Sequence, residues 1–305
     1  MIAFREEYLR RRVIRGKYYK TIVLYRHGFS QLEISEILAI PLSWVKRWLN
    51  GYPPPNVKRL KRKRDERIRS DRINQGYPDL LFELFDKLPL NIYHKALLFG
   101  LYYGDGSAVI CPSKTPATGG FKYRFSIACS PEVPHQLEVG YRLLSLIGKP
   151  SIQRKPRLTV YIDHKILTLY LVIIAHDKEE ITEEVRKIVE SSLVTRKLWL
   201  YGFKLSEGAK SNRVLNSNTK FLKYFKQLEK QIGIKTKANV KPWSSLFGKR
   251  TYQLSVPVAS LKKHGIDTRR IPKWVDDVLP PSSTFFSYLF SLLQSFQPLH
   301  LVVRV

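Results

Sequence analysis

Two short stretches of this chain carry a carboxylate in the same setting, about a hundred residues apart. The first, LFGLYYGDGS at residues 98–107, holds Asp105, and the second, LYGFKLSEGA at residues 200–209, holds Glu207. In each stretch the acidic residue follows an apolar run and precedes a glycine, which suits the left-handed residue that ends a helix. The pattern predicts two equivalent helices, each of which ends at a carboxylate.

Both predicted helices carry small residues four positions apart. These are Gly100 and Gly104 in the first helix, and Gly202 and Ser206 in the second. Such a face lets a second helix backbone approach closely. If the two faces pack in parallel, the two carboxylates emerge side by side at one end of the pair. Like charges held that close are costly unless a proton or a cation lies between them, and a divalent metal with oxygen ligands would serve.

The chain is strongly basic, with 53 Lys and Arg residues against 25 Asp and Glu residues and a net charge of +28. The expected partner is therefore a polyanion, with nucleic acid favoured over a membrane surface. Neither a signal peptide nor an apolar run long enough for a spanning helix is expected. We expect a monomer in the cytoplasm, associated with the nucleoid. The two cysteines, Cys111 and Cys129, predict neither a zinc site nor a disulfide framework.

The two acidic stretches resemble the LAGLIDADG motif of homing endonucleases. The matching positions are Gly100, Leu101, Asp105 and Gly106 in the first copy, and Gly202, Glu207 and Gly208 in the second. The eighth position of the motif, which in the family holds metal, is acidic in both copies. The sixth position, often acidic in the family, is Tyr103 and Leu205 here. Two copies at this spacing resemble the monomeric, two-motif form of the family.

The resemblance and the residue patterns predict an α+β fold of two tandem repeats related by a pseudo-twofold axis. The first repeat is expected to follow the order α-β-β-α-β-β-α. The second should be abbreviated, because only about eleven residues separate Glu207 from a helix that begins near Thr219. In the family, the antiparallel strands form saddle-shaped sheets that lie along the major groove. We therefore expect a smaller second saddle.

The first fifty residues predict three helices that resemble a helix-turn-helix module. Ser30 and Glu33 have the spacing of a capping box at the start of the second helix. The third helix, LSWVKRWLN, would enter the major groove. Its candidate contacts with bases or phosphates are Ser43, Lys46, Arg47 and Asn50. A helical hairpin used only for packing is the alternative.

The expected organisation has five parts. They are a helix-turn-helix domain at residues 1–51, a basic linker at 52–76, a first repeat at 77–192, a second repeat at 193–282, and an apolar C-terminal segment at 283–305. The linker would track phosphates and set the distance between the two DNA-binding parts. The sequence suggests no function for the C-terminal segment.

Phosphodiester hydrolysis needs a nucleophilic water and a stabilised leaving oxygen, which carboxylate-held Mg²⁺ can supply. Asp105 and Glu207 would hold the metal, each helped by the neighbouring backbone carbonyl, at Gly104 and Ser206. Mn²⁺ could substitute for Mg²⁺. The resemblance implies a double-strand cut with short 3′ overhangs. It also implies a lysine near the metals beyond the fourth strand, for which Lys165 is the nearest match.

Further basic residues lie in the linker and along the predicted strands, where the resemblance predicts DNA contacts. They are Lys58, Arg59, Lys61, Arg62, Lys63, Arg64, Lys122, Arg124, Arg154, Lys155, Arg157, Lys235, Lys237, Lys241, Lys249 and Arg250. Strand side chains alternate between two faces, so only one face of each sheet can touch DNA.

The expected function is site-specific cleavage of double-stranded DNA, and two alternatives remain. Some bacterial transcription regulators resemble this chain in joining a LAGLIDADG scaffold to a helix-turn-helix, but they have lost the acidic pair. The retained pair favours the enzyme. An RNA maturase would bind intron RNA through the basic face of the scaffold. A regulator should bind DNA without metal, and a maturase should prefer its intron RNA to duplex DNA.

Overall fold

Helices alternate with antiparallel strands, and the predicted α+β fold is confirmed. The computed structural model describes residues 2–54, 77–113, 121–154, 157–175, 178, 180–208, 212–235, 238–246, 249–283 and 285–286. Its helices are α1 (Ile2–Arg26), α2 (Gln31–Ile37), α3 (Leu42–Leu49), α4 (Tyr77–Asp86), α5 (Ile92–Tyr103), α6 (Pro134–Ser145), α7 (Lys165–Ile173), α8 (Glu183–Val189), α9 (Leu193–Gly208), α10 (Thr219–Gln231), α11 (Val258–Lys263) and α12 (Lys273–Asp276). Its strands are β1 (Gly106–Pro112), β2 (Phe121–Ala128), β3 (Ser151–Gln153), β4 (Thr159–Asp163), β5 (Arg213–Asn216), β6 (Lys241–Leu246) and β7 (Lys249–Ser255).

Among the described residues, the two sheets have the same strand order, except that the second has no counterpart of one edge strand. The first sheet has the order β1-β2-β4-β3, and the second has the order β5-β7-β6. Matching β5 to β2 leaves β1 without a counterpart among the described strands. Only four residues separate the end of α9 from the start of β5, fewer than the seven residues of β1. The abbreviated second repeat is therefore confirmed.

One strand differs from the sequence prediction in its bounds, and one long helix is interrupted. The pattern predicts a strand over residues 236–242, but β6 begins at Lys241. Its partner β7 begins at Lys249. The pairing of β6 with β7 shifts register between Pro242 and Ser244, and such an irregularity is where a sheet tolerates proline, which has no amide hydrogen. The helix predicted over residues 164–191, with an interruption near residues 176–177, is divided into α7 and α8 as expected.

Helices α5 and α9 pack in the core through their glycine faces, as predicted. A Cβ atom on Gly202 would lie 2.9 Å from the Leu97 carbonyl oxygen and 3.1 Å from the Leu101 amide nitrogen. A Cβ atom on Gly100 would overlap the Trp199 carbonyl oxygen. The two backbones therefore meet at a distance that only glycine permits at these positions.

The N-terminal helices begin and end close to where the sequence predicts. The capping box of α2 is confirmed, since the Ser30 hydroxyl accepts from the Glu33 amide at 3.2 Å and the Glu33 carboxylate accepts from the Ser30 amide at 2.6 Å. In α3, Val45 and Trp48 are buried. The opposite face of α3 therefore stays exposed.

Helix α1 rests against the first sheet. The ring of Tyr19 lies 6.4 Å from the ring of Phe121 in β2, and the Arg26 guanidinium lies 4.8 Å from the same ring. The N-terminal helices are thus attached to the first repeat. The five-part division of the chain stays a prediction, because residues 55–76 and 287–305 lie outside the described residues.

The segment that follows α11 crosses back onto the first repeat. The Arg142 guanidinium, which is buried, donates to the Pro280 carbonyl at 2.6 Å and pairs with the Asp276 carboxylate at 2.7 Å. The His94 ring nitrogen lies 2.7 Å from the Val278 carbonyl oxygen. These contacts clamp the end of the second repeat to the first. Within the described residues, no helix is long and apolar enough to cross a membrane.

Candidate active site

Asp105 and Glu207 lie at the same end of the α5 and α9 pair. Gly104, which ends α5, faces the last turn of α9 so closely that a Cβ atom there would lie 3.0 Å from the Ser206 hydroxyl and 3.4 Å from the Glu207 Cγ atom. Asp105 follows Gly104 directly, and its charge acts on the Glu207 carboxyl. The parallel packing predicted from the small residues therefore brings both carboxylates into one site.

The two carboxyls differ in their surroundings. Burial raises the pKa of Glu207 well above its usual value, and the charge of Asp105 raises it further. Asp105 is exposed as a residue, yet the protein atoms around its carboxyl still raise its pKa through desolvation. Because Asp105 keeps contact with solvent, we attribute the larger shift to Glu207. The pair is therefore electrostatically unfavourable until a cation or a proton joins it.

Two side-chain amides hold the carboxylates in place. The Asn216 amide donates to the Glu207 carboxylate at 2.7 Å from the end of β5. The buried Gln136 amide in α6 lies 3.5 Å from the Asp105 carboxylate and donates to the Ala128 carbonyl at 3.0 Å. Sequence reasoning missed both amides, because neither belongs to a motif and each reaches the site only through the tertiary fold.

A lysine outside both motifs completes the site. The Lys178 ammonium donates to the carbonyls of Gly104 at 2.6 Å and Gly106 at 3.0 Å, on either side of Asp105. Its charge lowers the pKa of both carboxyls and so opposes their desolvation. The Lys178 backbone has φ of 67°, in the left-handed region that side-chain-bearing residues rarely adopt. This conformation cannot continue a helix, so it lies where the predicted long helix is interrupted.

The lysine chosen from the sequence lies elsewhere. Lys165 is the first residue of α7, is exposed, and has its ammonium 5.8 Å from the centroid of the Tyr123 ring. The signal that could have found Lys178 was its place beyond the fourth strand. Lys178 lies farther along the chain from the end of β4 than Lys165 does, and the sequence did not show where α7 ends. The sequence therefore favoured Lys165.

The oxygen atoms at this site fit a hard divalent cation. The donors are the carboxylates of Asp105 and Glu207 and the carbonyl of Gly104, and the buried Ser206 hydroxyl beside them has no hydrogen-bond partner among the described residues. The described residues contain no group of three or more His, Cys, Asp or Glu side chains that could hold a metal. The protein would therefore supply two carboxylates and backbone oxygens, and water or substrate oxygens would complete the shell.

The structure describes some of the residues predicted to contact DNA, and others lie outside the described residues. On α3, the four predicted residues Ser43, Lys46, Arg47 and Asn50 are all exposed. In the first sheet, Lys122 and Arg124 share one face of β2, and both pair with Asp163 of β4. Arg154, Arg157, Lys235 and Lys241 are exposed around the two sheets. Lys58, Arg59, Lys61, Arg62, Lys63, Arg64, Lys155 and Lys237 lie outside the described residues, as do the side chains of Lys249 and Arg250.

No family model and no curated protein matches the chain. Solved structures to which it is similar include LAGLIDADG homing endonucleases. I-DmoI in complex with DNA and Mn is 21% identical over 58% of this chain and 97% of its own, with a TM-score of 0.41. I-LtrWI bound to target DNA is 13% identical over 68% and 92%, with a TM-score of 0.35. Because the TM-scores are this low, the proposed function depends on the residues of the site and not on these similarities.

Proposed function

We propose that this protein is a site-specific endonuclease of the LAGLIDADG type that hydrolyses phosphodiester bonds of double-stranded DNA with a divalent metal. The observation that carries the proposal is the pair of carboxylates, Asp105 and Glu207, at the shared end of two helices packed through glycine faces. In a chain with a net charge of +28, the polyanion that meets this site is expected to be DNA.

Asp105 and Glu207 would hold the metal, with the backbone oxygens of Gly104 and Ser206 beside them. Mg²⁺ is the proposed ion, and Mn²⁺ is expected to substitute. When bound, the metal supplies a nucleophilic water and stabilises the leaving oxygen. Asn216 keeps the Glu207 carboxylate oriented through its 2.7 Å hydrogen bond.

We assign the lysine of the proposed mechanism to Lys178 instead of Lys165. The Lys178 ammonium lies between the two carbonyls that flank Asp105. A positive charge at this place can stabilise negative charge that develops on a phosphate next to the metal site. Lys165 is the first residue of α7, and its ammonium lies 5.8 Å from the centroid of the Tyr123 ring.

The remaining parts of the proposal concern DNA binding. The exposed face of α3 would enter the major groove, and its Lys46 and Arg47 side chains are available for this. The basic linker at residues 52–76 would track phosphates between this domain and the two repeats. The saddle faces of the two repeats would contact the target, with the smaller contact made by the second repeat. An intracellular monomer is proposed.

The test is cleavage of a plasmid library by the full chain with Mg²⁺ or with EDTA. The variants are Asp105→Asn and Glu207→Gln, and the matched control is Glu184→Gln, which neutralises an exposed acid in α8. We expect linear product from the wild type and the control only with metal. Either site variant should give no product or nicked circles.

The two alternatives give different results in the same experiment. Tight binding of duplex DNA without cutting under any divalent metal would reject the nuclease and leave a regulator. Preference for structured intron RNA over the duplex, again without cutting, would leave a maturase.

A further inference from the structure

Four side chains form a cluster on the exposed face of the first sheet. Arg124 of β2 is directly opposite Asp163 of β4, and Tyr161 lies two residues before Asp163 on the same strand face. Lys122 precedes Arg124 on the same face of β2. The opposite face of β2 is buried through Phe125. The cluster therefore lies on the face that the proposed function directs toward DNA.

The guanidinium group of Arg124 is held from two sides. Its Nε atom donates to Asp163 Oδ1 at 2.8 Å, and its Nη2 atom donates to Asp163 Oδ2 at 3.2 Å. The guanidinium carbon lies 3.7 Å from the centroid of the Tyr161 ring. A planar group fixed by a two-point ion pair and by a ring has few orientations left.

The bonds to Asp163 leave the outer edge of the guanidinium available. A guanidinium has five N–H donors, and these two bonds use Nε and one hydrogen of Nη2. The remaining donors of Nη1 and Nη2 lie on the edge that points away from the backbone. Two parallel N–H donors match the O6 and N7 acceptors of guanine in the major groove. The Arg124 side chain is 25% exposed, so part of it faces solvent on this side of the sheet.

Asp163 is otherwise unexpected at this place. A carboxylate that is 42% exposed on a DNA-facing sheet repels phosphates. It is also close to two cations, because the Lys122 ammonium lies 3.1 Å from its Oδ2 atom. An isolated exposed ion pair adds little stability, so stability alone does not explain Asp163 on this face. Its presence is explained if it fixes the orientation of Arg124.

We propose that Arg124 reads one guanine in the half of the target that the first repeat binds, with Asp163 and Tyr161 as positioning residues. The proposal rests on the proposed function as a DNA endonuclease. Arg124 pairs across the sheet with Val109, four residues along β1 from Asp105. At about 3.3 Å per residue this is roughly 13 Å, or about four base pairs at 3.4 Å each. The guanine is therefore expected about four base pairs from the cleavage centre.

The experiment measures the base preference of the full chain at every position of a randomised duplex library. Bound DNA is sequenced after selection with Ca²⁺, and cutting of the selected target is measured with Mg²⁺. The wild type should enrich guanine at one position on the first-repeat side. Arg124→Ala should lower that preference by about 5- to 150-fold and leave the other positions unchanged.

Three further variants separate reading from binding and folding. Lys122→Ala, the matched control, should weaken binding to all sequences equally and keep the guanine preference. Arg124→Lys keeps the charge but not the planar fork. This variant should bind DNA as tightly as the wild type but distinguish guanine from the other bases poorly. Asp163→Asn should reduce the preference at the same position only, which a residue that merely supported the sheet would not do.

Two results would overturn the inference. If Arg124→Ala and Arg124→Lys lower affinity equally for all sequences, or leave the profile as in the wild type, then Arg124 does not read a base. If the wild type binds and cuts a target in this case, only the inference fails. If the wild type selects no duplex at all, the proposed function fails as well.

Discussion

The contact between α5 and α9 gives a stability prediction that can be worked out from the structure. Gly100→Ala adds one methyl group where the Trp199 carbonyl oxygen already lies, and the next atom, the Phe203 amide nitrogen, is 3.0 Å away. Both are backbone atoms of a packed helix, so they cannot turn aside as a flexible side chain could. The two helices must move apart to admit the methyl group.

A second glycine provides the matched control. Gly16 also lies within a helix, α1, but a Cβ atom there meets nothing within 4 Å. Replacing glycine by alanine in a helix gains about 1 kcal/mol at either position. At Gly100 the overpacking costs about 1–3 kcal/mol, and backbone obstruction places the cost at the upper end. We expect Gly100→Ala to lose about 1–2 kcal/mol net and Gly16→Ala to gain about 0.5–1 kcal/mol.

The assay is urea unfolding of the three proteins under the same conditions. Gly100→Ala should unfold at a lower urea concentration than the wild type, and Gly16→Ala at the same or a higher one. Since moving the helices apart also separates Asp105 from Glu207, Gly100→Ala should cut DNA more slowly. A Gly100→Ala protein that is as stable as Gly16→Ala would refute the close backbone contact.

Three further predictions follow from the site and its supports. Burial and the Asp105 charge raise the folded-state pKa of Glu207, so in EDTA the wild type should lose stability as pH rises from about 4.3 toward that raised pKa. Glu207→Gln should show a smaller loss in thermal melts, and equal pH profiles would contradict the raised pKa of Glu207. Arg142→Ala removes a buried guanidinium that donates to the Pro280 carbonyl and pairs with Asp276. Urea unfolding should show a loss of about 2–3 kcal/mol in the free energy of unfolding. An unchanged unfolding midpoint would contradict the importance of these contacts. Lys178→Met should lower the single-turnover cutting rate about 100-fold with little change in DNA affinity, whereas Lys165→Met should cut like the wild type; the reverse order would return the role to Lys165.

The central helices and their carboxylates could be predicted from the sequence because the signals are local. Apolar runs, small residues four apart and a carboxylate before glycine all lie within ten residues. The same holds for the capping box of Ser30 and Glu33, which depends on a spacing of three. Local signals of this kind specify which face of a helix is buried. They do not place the helix ends to the residue, since α5 ends at Tyr103, two residues before Asp105, whereas Glu207 lies within α9.

The rest of the site depends on contacts between distant parts of the chain. Lys178 reaches the Gly104 carbonyl across 74 residues, and Gln136 reaches Asp105 across 31. No spacing rule connects such pairs, because their meeting depends on how the sheets and helices pack. The late start of β6 has the same origin, since a strand begins where its partner provides hydrogen bonds and not only where the residue pattern allows.

The most direct test of the central claim is the rate at which each strand of the selected target is cut with Mg²⁺. It should compare the wild type, Asp105→Asn, Glu207→Gln and the double variant. If the two carboxylates form one catalytic site, each single variant should lose double-strand cutting, and the double variant should be little slower than the slower single variant. A single variant that cuts both strands at the wild-type rate would contradict the account.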